Sequence, residues 1–156
     1  MSEREAQIGV CGAAAAEGEL YDKAYRVGRL IAARGWTVVC GGLGGVMEAA
    51  SKGASEVGGV VIGVVPAYEK SSANPYVTYT IATGMGHARN VIIAASADAV
   101  IAVGGGYGTL SELALATKLG RPVVALDAPV DIPGVVTAAS PEDAVAFAAE
   151  ALGANR

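Results

Sequence analysis

Four glycines crowd the run Gly104-Gly105-Gly106-Tyr107-Gly108-Thr109, and Glu112 follows three residues later. Glycine lets backbone N–H groups come close to an anion. A helix opening on such a run adds unpaired amides and the positive end of its dipole. That chemistry holds a phosphate without lysine, and the chain has only four lysines. Earlier clusters are Gly9 and Gly12, then Gly41-Gly42-Leu43-Gly44-Gly45. Gly12, Gly42, Gly44, Gly104, Gly105, Gly106, Tyr107, Gly108 and Thr109 are therefore the candidate ligand-binding positions. Tight helix–strand packing accounts equally well for Gly41 to Gly45 alone. The density of glycine at 104–108, with the Thr109 hydroxyl, argues for an anion there. The Tyr107 ring could stack on a ligand or plug its own loop.

Two charged residues stand out as candidate catalytic groups. Arg89 opens a segment, His87 to Ala97, that is otherwise almost wholly apolar. An arginine at the start of such a helix must meet an anion or bear a heavy desolvation cost. It serves either a structural ion pair or a clamp on a phosphate or carboxylate. Glu112 falls in the first turn of the helix after the glycine run, where acids are favoured anyway. Placed over a bound phosphate, its carboxylate could stabilise a cationic sugar or orient water. Asp98 reads as a structural hydrogen-bonding residue, His87 as a supporting or surface group, and Cys11 and Cys40 as small core residues. Two familiar phosphate motifs are missing. There is no G-x-x-x-x-G-K-[ST] run, and no G-x-G-x-x-G opens the first helix with an acid about 20 residues on.

These residues need elements to carry them. Ile8 to Cys11 reads as a buried strand, and Leu20 to Arg34 as a helix with apolar residues at helical spacing, ended by Gly35. Trp36 to Cys40 is the next strand, Val46 to Val57 a helix, and Val60 to Val65 a strand covered on both faces. Strand Val77 to Ile81, helix Met85 to Ala97 and strand Asp98 to Val103 follow. Then come helix Thr109 to Leu119, strand Pro122 to Leu126 and a short strand Val135 to Thr137. Ser140-Pro141-Glu142-Asp143 opens a last helix with an N-cap serine and first-turn acids. Alternating apolar strands and helices predict a single α/β, Rossmann-like domain, a mostly parallel sheet with helices on both faces. Each glycine cluster then sits at one sheet edge, ahead of a helix. The polar stretch Pro66 to Tyr76 is either a solvent loop or a lid over that edge. The His87 to Ala97 helix is apolar all round, which calls for a second covering surface and predicts a homo-oligomer, a dimer or a multiple of dimers.

Composition narrows the class. The chain has 156 residues, 53% of them hydrophobic, so it can bury one sizeable core. The net charge is −4 and only 17% of residues are charged, which disfavours a nucleic-acid partner. Apolar runs break before about 18 residues, so no membrane span is expected. Met1 to Gln7 is polar and unlike a signal peptide. Two cysteines make no disulfide framework, and a reduced cytoplasm is the expected compartment. A single histidine without a Cys/His cluster predicts no metal site.

Three runs carry a family resemblance: Gly86-His87-Ala88-Arg89-Asn90, Ser96 to Ile101, and Gly104 to Glu112. With Gly41 to Glu48, they resemble the Lonely Guy (LOG) family and its relatives over about residues 8 to 152. LOG enzymes are phosphoribohydrolases that release free base and ribose 5-phosphate from cytokinin nucleoside 5′-monophosphates. The resemblance implies Glu112 as catalytic glutamate, Arg89 as catalytic arginine, and Gly105, Gly106, Gly108 and Thr109 as phosphate loop. Gly104 stands where the family motif has proline, and Asn90 where it has lysine. The three-glycine variant more closely resembles the branch that includes molybdenum cofactor carrier proteins. The implied function is binding of a phosphorylated nucleotide-like molecule, with N-glycosidic hydrolysis or, alternatively, a non-catalytic carrier or sensor role for a nucleotide-like or molybdopterin-type ligand. No cofactor is expected; nothing marks a pyridoxal-phosphate lysine among Lys23, Lys52, Lys70 and Lys118.

Overall fold

A computed structural model describes residues 5–128 and 131–154. The strands are β1 (Gln7–Gly12), β2 (Thr37–Cys40), β3 (Val61–Val65), β4 (Tyr79–Ala82), β5 (Ala99–Val103), β6 (Val123–Leu126) and β7 (Val136–Thr137). The helices are α1 (Gly18–Ala33), α2 (Val46–Glu56), α3 (Asn90–Ser96), α4 (Tyr107–Lys118) and α5 (Pro141–Ala154). The sheet runs β4-β3-β2-β1-β5-β6-β7. Every one of its pairings is parallel, so the expected mostly parallel sheet is parallel throughout.

Alternation along the strands divides the core. Ile8, Val10, Val38, Val61 and Ile101 point to the face covered by α1, α2 and α5. Cys11, Val100, Ala102 and Val123 point to the other face, under Ala94 of α3 and Leu113 and Ala116 of α4. Because both faces are covered, β3, β5 and β6 carry no polar residue, and β1 and β2 carry one only at their first position. Fully burying a valine, isoleucine or leucine stabilises by roughly 1.5–3 kcal/mol, so this double layer outweighs local propensity. At α5 the expected cap forms: the Asp143 N–H donates to Ser140 Oγ at 3.1 Å. Asp98 does hold structure, its Oδ2 accepting from the Gln7 N–H at 2.8 Å.

Two elements differ from the sequence reading. The edge strand begins at Tyr79, not Val77. Thr78 Oγ1 accepts the Val61 N–H at 2.9 Å, so a side chain occupies what would be a ladder position. The segment Met85 to Ala97 is not one helix. A 3₁₀ turn over Gly86–Arg89 precedes the short α3. Thr83 Oγ1 takes the Met85 N–H at 3.1 Å, and the Gly86 N–H donates to Pro66 O at 3.1 Å. These bonds pin the segment to the end of β3 before α-helical geometry can start.

Candidate functional site

The strand order reverses between β1 and β5: β2, β3 and β4 lie to one side, β6 and β7 to the other. At such a reversal the loops leaving the two central strands part and open a crevice at their C-terminal ends. A cavity of about 440 Å³ lies there, lined by Cys11 to Ala14 at the end of β1, Leu43 and Met47 near the start of α2, His87, Arg89 and Asn90 at the entry to α3, and Gly105 to Thr109 with Glu112 at the start of α4.

Most of the residues selected from sequence meet in this cleft. Arg89, Glu112, Gly12, Gly105, Gly106, Tyr107, Gly108 and Thr109 line it; Gly42, Gly44 and Gly104 do not. Gly42 packs on Val65 and Gly63 of β3, and Gly104 on the Leu20 side chain. Gly44 lies in the second glycine turn with only Ala14 O near its α-carbon substituent position. None of the residues 66–76 lines the cleft. Asn74 ties that stretch to the second glycine turn, its Nδ2 donating to Leu43 O at 3.0 Å and its N–H to Gly42 O at 2.8 Å.

The glycine run has the conformation that its composition demands. Gly105 sits at φ +117°, and a Cβ there would collide with the Thr109 side chain. Thr109 is thereby folded under the loop, 4% exposed. The Leu110 N–H already closes on Gly106 O at 3.0 Å. The amides of Tyr107, Gly108 and Thr109 precede it in the first turn, where a helix has no internal acceptors to offer. The Tyr107 ring is 92% exposed, so it does not plug the loop.

Arg89 is 6% exposed. Its Nε donates to Val64 O at 2.8 Å and its Nη1 to Asn90 Oδ1 at 3.1 Å. The ion pairs among the described residues are Lys23 with Glu19 and Asp127, and Arg26 with Glu142. Arg89 thus has no carboxylate partner among the described residues, and the structural ion pair weighed above does not form there. Burial pushes its guanidinium down from its ordinary value, while the Glu112 charge pulls the other way. Glu112 is mostly buried. Burial raises its carboxyl to about 7, against opposing effects of the Cys11 thiol and the Arg89 charge.

Several cleft groups were not selected from the sequence as site residues. Asn90 holds the guanidinium, the buried Cys11 lines the cavity, and Leu43 and Met47 add apolar lining. His87, read as a supporting or surface group, is exposed and lines the mouth. Gly41, behind the cleft, makes room for Arg89: a Cβ there would lie 2.8 Å from Nη2 and 2.7 Å from Met47 Sδ. Its place as the first residue of the second glycine run, directly after β2, was the available signal. Among the described residues, no group of three or more His, Cys, Asp or Glu could hold a metal ion.

A parallel doubly wound sheet with a glycine-lined crevice at its reversal point defines an α/β protein of Rossmann-like type. Residues 5–152 match the SLOG cluster4 family, and the chain belongs to that family. It is 39% identical to the molybdenum cofactor binding protein from Rippkaea orientalis, with a TM-score of 0.89 over 96% of this chain and 98% of that one. Against the molybdenum cofactor carrier protein from Chlamydomonas reinhardtii the identity is 37% and the TM-score 0.87, over 96% and 99% of the two chains. A cytokinin riboside 5′-monophosphate phosphoribohydrolase from Mycobacterium marinum is 39% identical over 107 residues. That match spans 66% of this chain and 57% of the enzyme, so only part of the enzyme's length is shared.

Proposed function

We propose that the cleft binds a phosphorylated, nucleotide-like or molybdopterin-type small molecule, and that the protein acts as a carrier or sensor of it. The observation that carries this reading is Arg89, a buried cation whose fixed bonds run to a carbonyl and an amide and to no carboxylate. An anionic ligand would supply the missing charge. Its phosphate would rest on the amides of Tyr107, Gly108 and Thr109, with the helix dipole behind them. The apolar lining of Leu43 and Met47 suits the flat face of a heterocycle. Similarity over nearly the full length to one protein described as binding the molybdenum cofactor and another described as its carrier supports the carrier role. Asn90 in the lysine position of the phosphoribohydrolase motif supports it too, since it leaves Arg89 as the sole fixed cation among the cleft-lining residues.

Hydrolysis is the second reading, favoured by Glu112. A carboxyl that titrates near neutrality can serve as general acid or base at physiological pH. It could protonate a leaving base, or as carboxylate stabilise an oxocarbenium-like transition state. Two measurements separate the readings. Native mass spectrometry of the protein purified from its own cells should show a retained phosphorylated ligand; empty protein that also fails to bind 5′-AMP or molybdopterin rejects the binding reading. Base release from 5′-AMP that disappears in Glu112→Gln would replace the carrier role by hydrolysis.

We infer further that the chain works in the cytoplasm as a homo-oligomer. No described helix is long and apolar enough to cross a membrane.

A further inference from the structure

Leu43 is the one residue with a side chain between the end of β2 at Cys40 and the start of α2 at Val46. Two glycines flank it on each side, so its backbone has unusual conformational freedom. Its side chain nevertheless lines the cleft. The run is held from outside the cleft, by half-buried Asn74. The Asn74 N–H donates to Gly42 O at 2.8 Å, and its Nδ2 donates to Leu43 O at 3.0 Å. The same Nδ2 reaches Ser51 Oγ at 3.5 Å, and that fully buried hydroxyl donates to Met47 O at 2.7 Å. Asn74 itself is locked in place: its Oδ1 accepts the Tyr76 N–H at 3.0 Å and its carbonyl the Val77 N–H at 3.3 Å. Only one orientation of the amide serves both the Leu43 carbonyl and the Tyr76 N–H. These bonds reach the second glycine run and α2, and none of them touches the 105–109 loop.

We propose that Asn74 is a positioning residue that sets the selectivity of the cleft. By holding the Leu43 carbonyl it keeps the Leu43 side chain at the cavity, where it meets the heterocycle of a ligand and not its phosphate. The inference rests on the ligand-binding reading of the same cleft. Released from Asn74, a leucine between two glycine pairs samples several conformers. Affinity for the heterocycle then falls with the fraction of molecules that still present it.

The test compares two ligands. Asn74→Asp is nearly isosteric and keeps the backbone N–H and the Oδ1 acceptor, but it sets a second acceptor against the Leu43 carbonyl. Asn74→Ala removes the side-chain bonds if the aspartate variant folds poorly. In calorimetry either variant should bind 5′-AMP roughly 3- to 10-fold more weakly, the worth of one ordinary hydrogen bond. Affinity for inorganic phosphate, followed by the amide NMR signals of Gly105 to Thr109, should stay unchanged. Without ligand, the Leu43 methyl signals, identified by their loss in Leu43→Val, should broaden through exchange. Those of Leu126, buried in β6, should stay sharp. An equal fall for both ligands marks general loosening and overturns the inference, as do unchanged 5′-AMP affinity or sharp Leu43 signals. If the wild-type protein binds neither ligand, the proposed function fails, and the methyl signals still decide whether Asn74 holds Leu43.

Discussion

Glu112 and Arg89 line one cavity, and burial shifts the ionisation of each from its ordinary value. For Glu112 the direction has a consequence for stability. Its folded-state value, about 7, lies above the ordinary 4.5. The folded state therefore prefers the acid. The resulting stability is fully present below about pH 4.5 and is lost as pH rises through about 7. Glu112→Gln removes this dependence. In urea unfolding at pH 5 and pH 8, the variant should gain on wild type by up to about 3 kcal/mol as pH rises. An equal gap at the two pH values would mean that the carboxyl is not held in its buried environment. Arg89 gives a binding prediction. A charge-assisted hydrogen bond is worth about 1.5–3 kcal/mol, so Arg89→Met should weaken 5′-AMP binding by about 10- to 100-fold in calorimetry. Unaltered affinity would remove the main support for an anion in this cleft.

At the scale of elements, the glycine run and the start of α4 make one device. Gly106 has open space around its Cβ position and a negative φ of −129°. Gly106→Ala should therefore melt within about 0.5 kcal/mol of wild type, the usual range for a surface change. It should still weaken phosphate binding, because a methyl would stand where the anion approaches the amides. Loss of both together would point to packing; loss of neither would argue against the cradle. Gly41→Ala works from behind. Its Cβ would press on Nη2 and on Met47, so Arg89 must shift, and affinity should fall although Gly41 does not line the cavity. This contrast shows what the sequence could reveal. The runs Val60 to Val65 and Asp98 to Val103 read as strands because burial on both faces leaves no polar position between Val61 and Val65 or between Ala99 and Val103. The 104–109 run read as an anion loop because its residues are neighbours in the chain. Gly41 against Arg89 and Asn90 on the guanidinium depend on which elements pack together or on how one side chain folds back. Hydrophobic periodicity does not encode those meetings. The break between the 3₁₀ turn and α3 was hidden for the same reason, since Pro66 and Thr83, outside the helical pattern, set it.

At the scale of the whole molecule, the two faces of the sheet are unequally covered. Three helices, α1, α2 and α5, close one face, while the seven-residue α3 and α4 share the other. The register puts Tyr79 opposite Ile62 and Ile81 opposite Val64, so these β4 side chains lie on the α3 side. Val64 is buried under Ile93 of α3. Tyr79 and Ile81 lie one strand further out, and they are 65% and 48% exposed. Val91 on α3 is 49% exposed. Apolar groups gathered at the uncovered end of a sheet face are what an isologous contact between two copies would bury. Light scattering after size exclusion should give a mass of at least twice that of one chain. Ile81→Arg combined with Val91→Arg should shift it to a single chain with the circular dichroism unchanged. Both substitutions project from surface positions, so a loss of folded signal is not expected on packing grounds. The 3₁₀ turn carrying His87 and Arg89 runs directly into α3. If this face joins two copies, the double variant should therefore also lower affinity for 5′-AMP, because ordering of the cleft mouth would then depend on the partner. A wild-type chain that runs as a monomer at all concentrations would exclude that contact and leave the cleft to act alone.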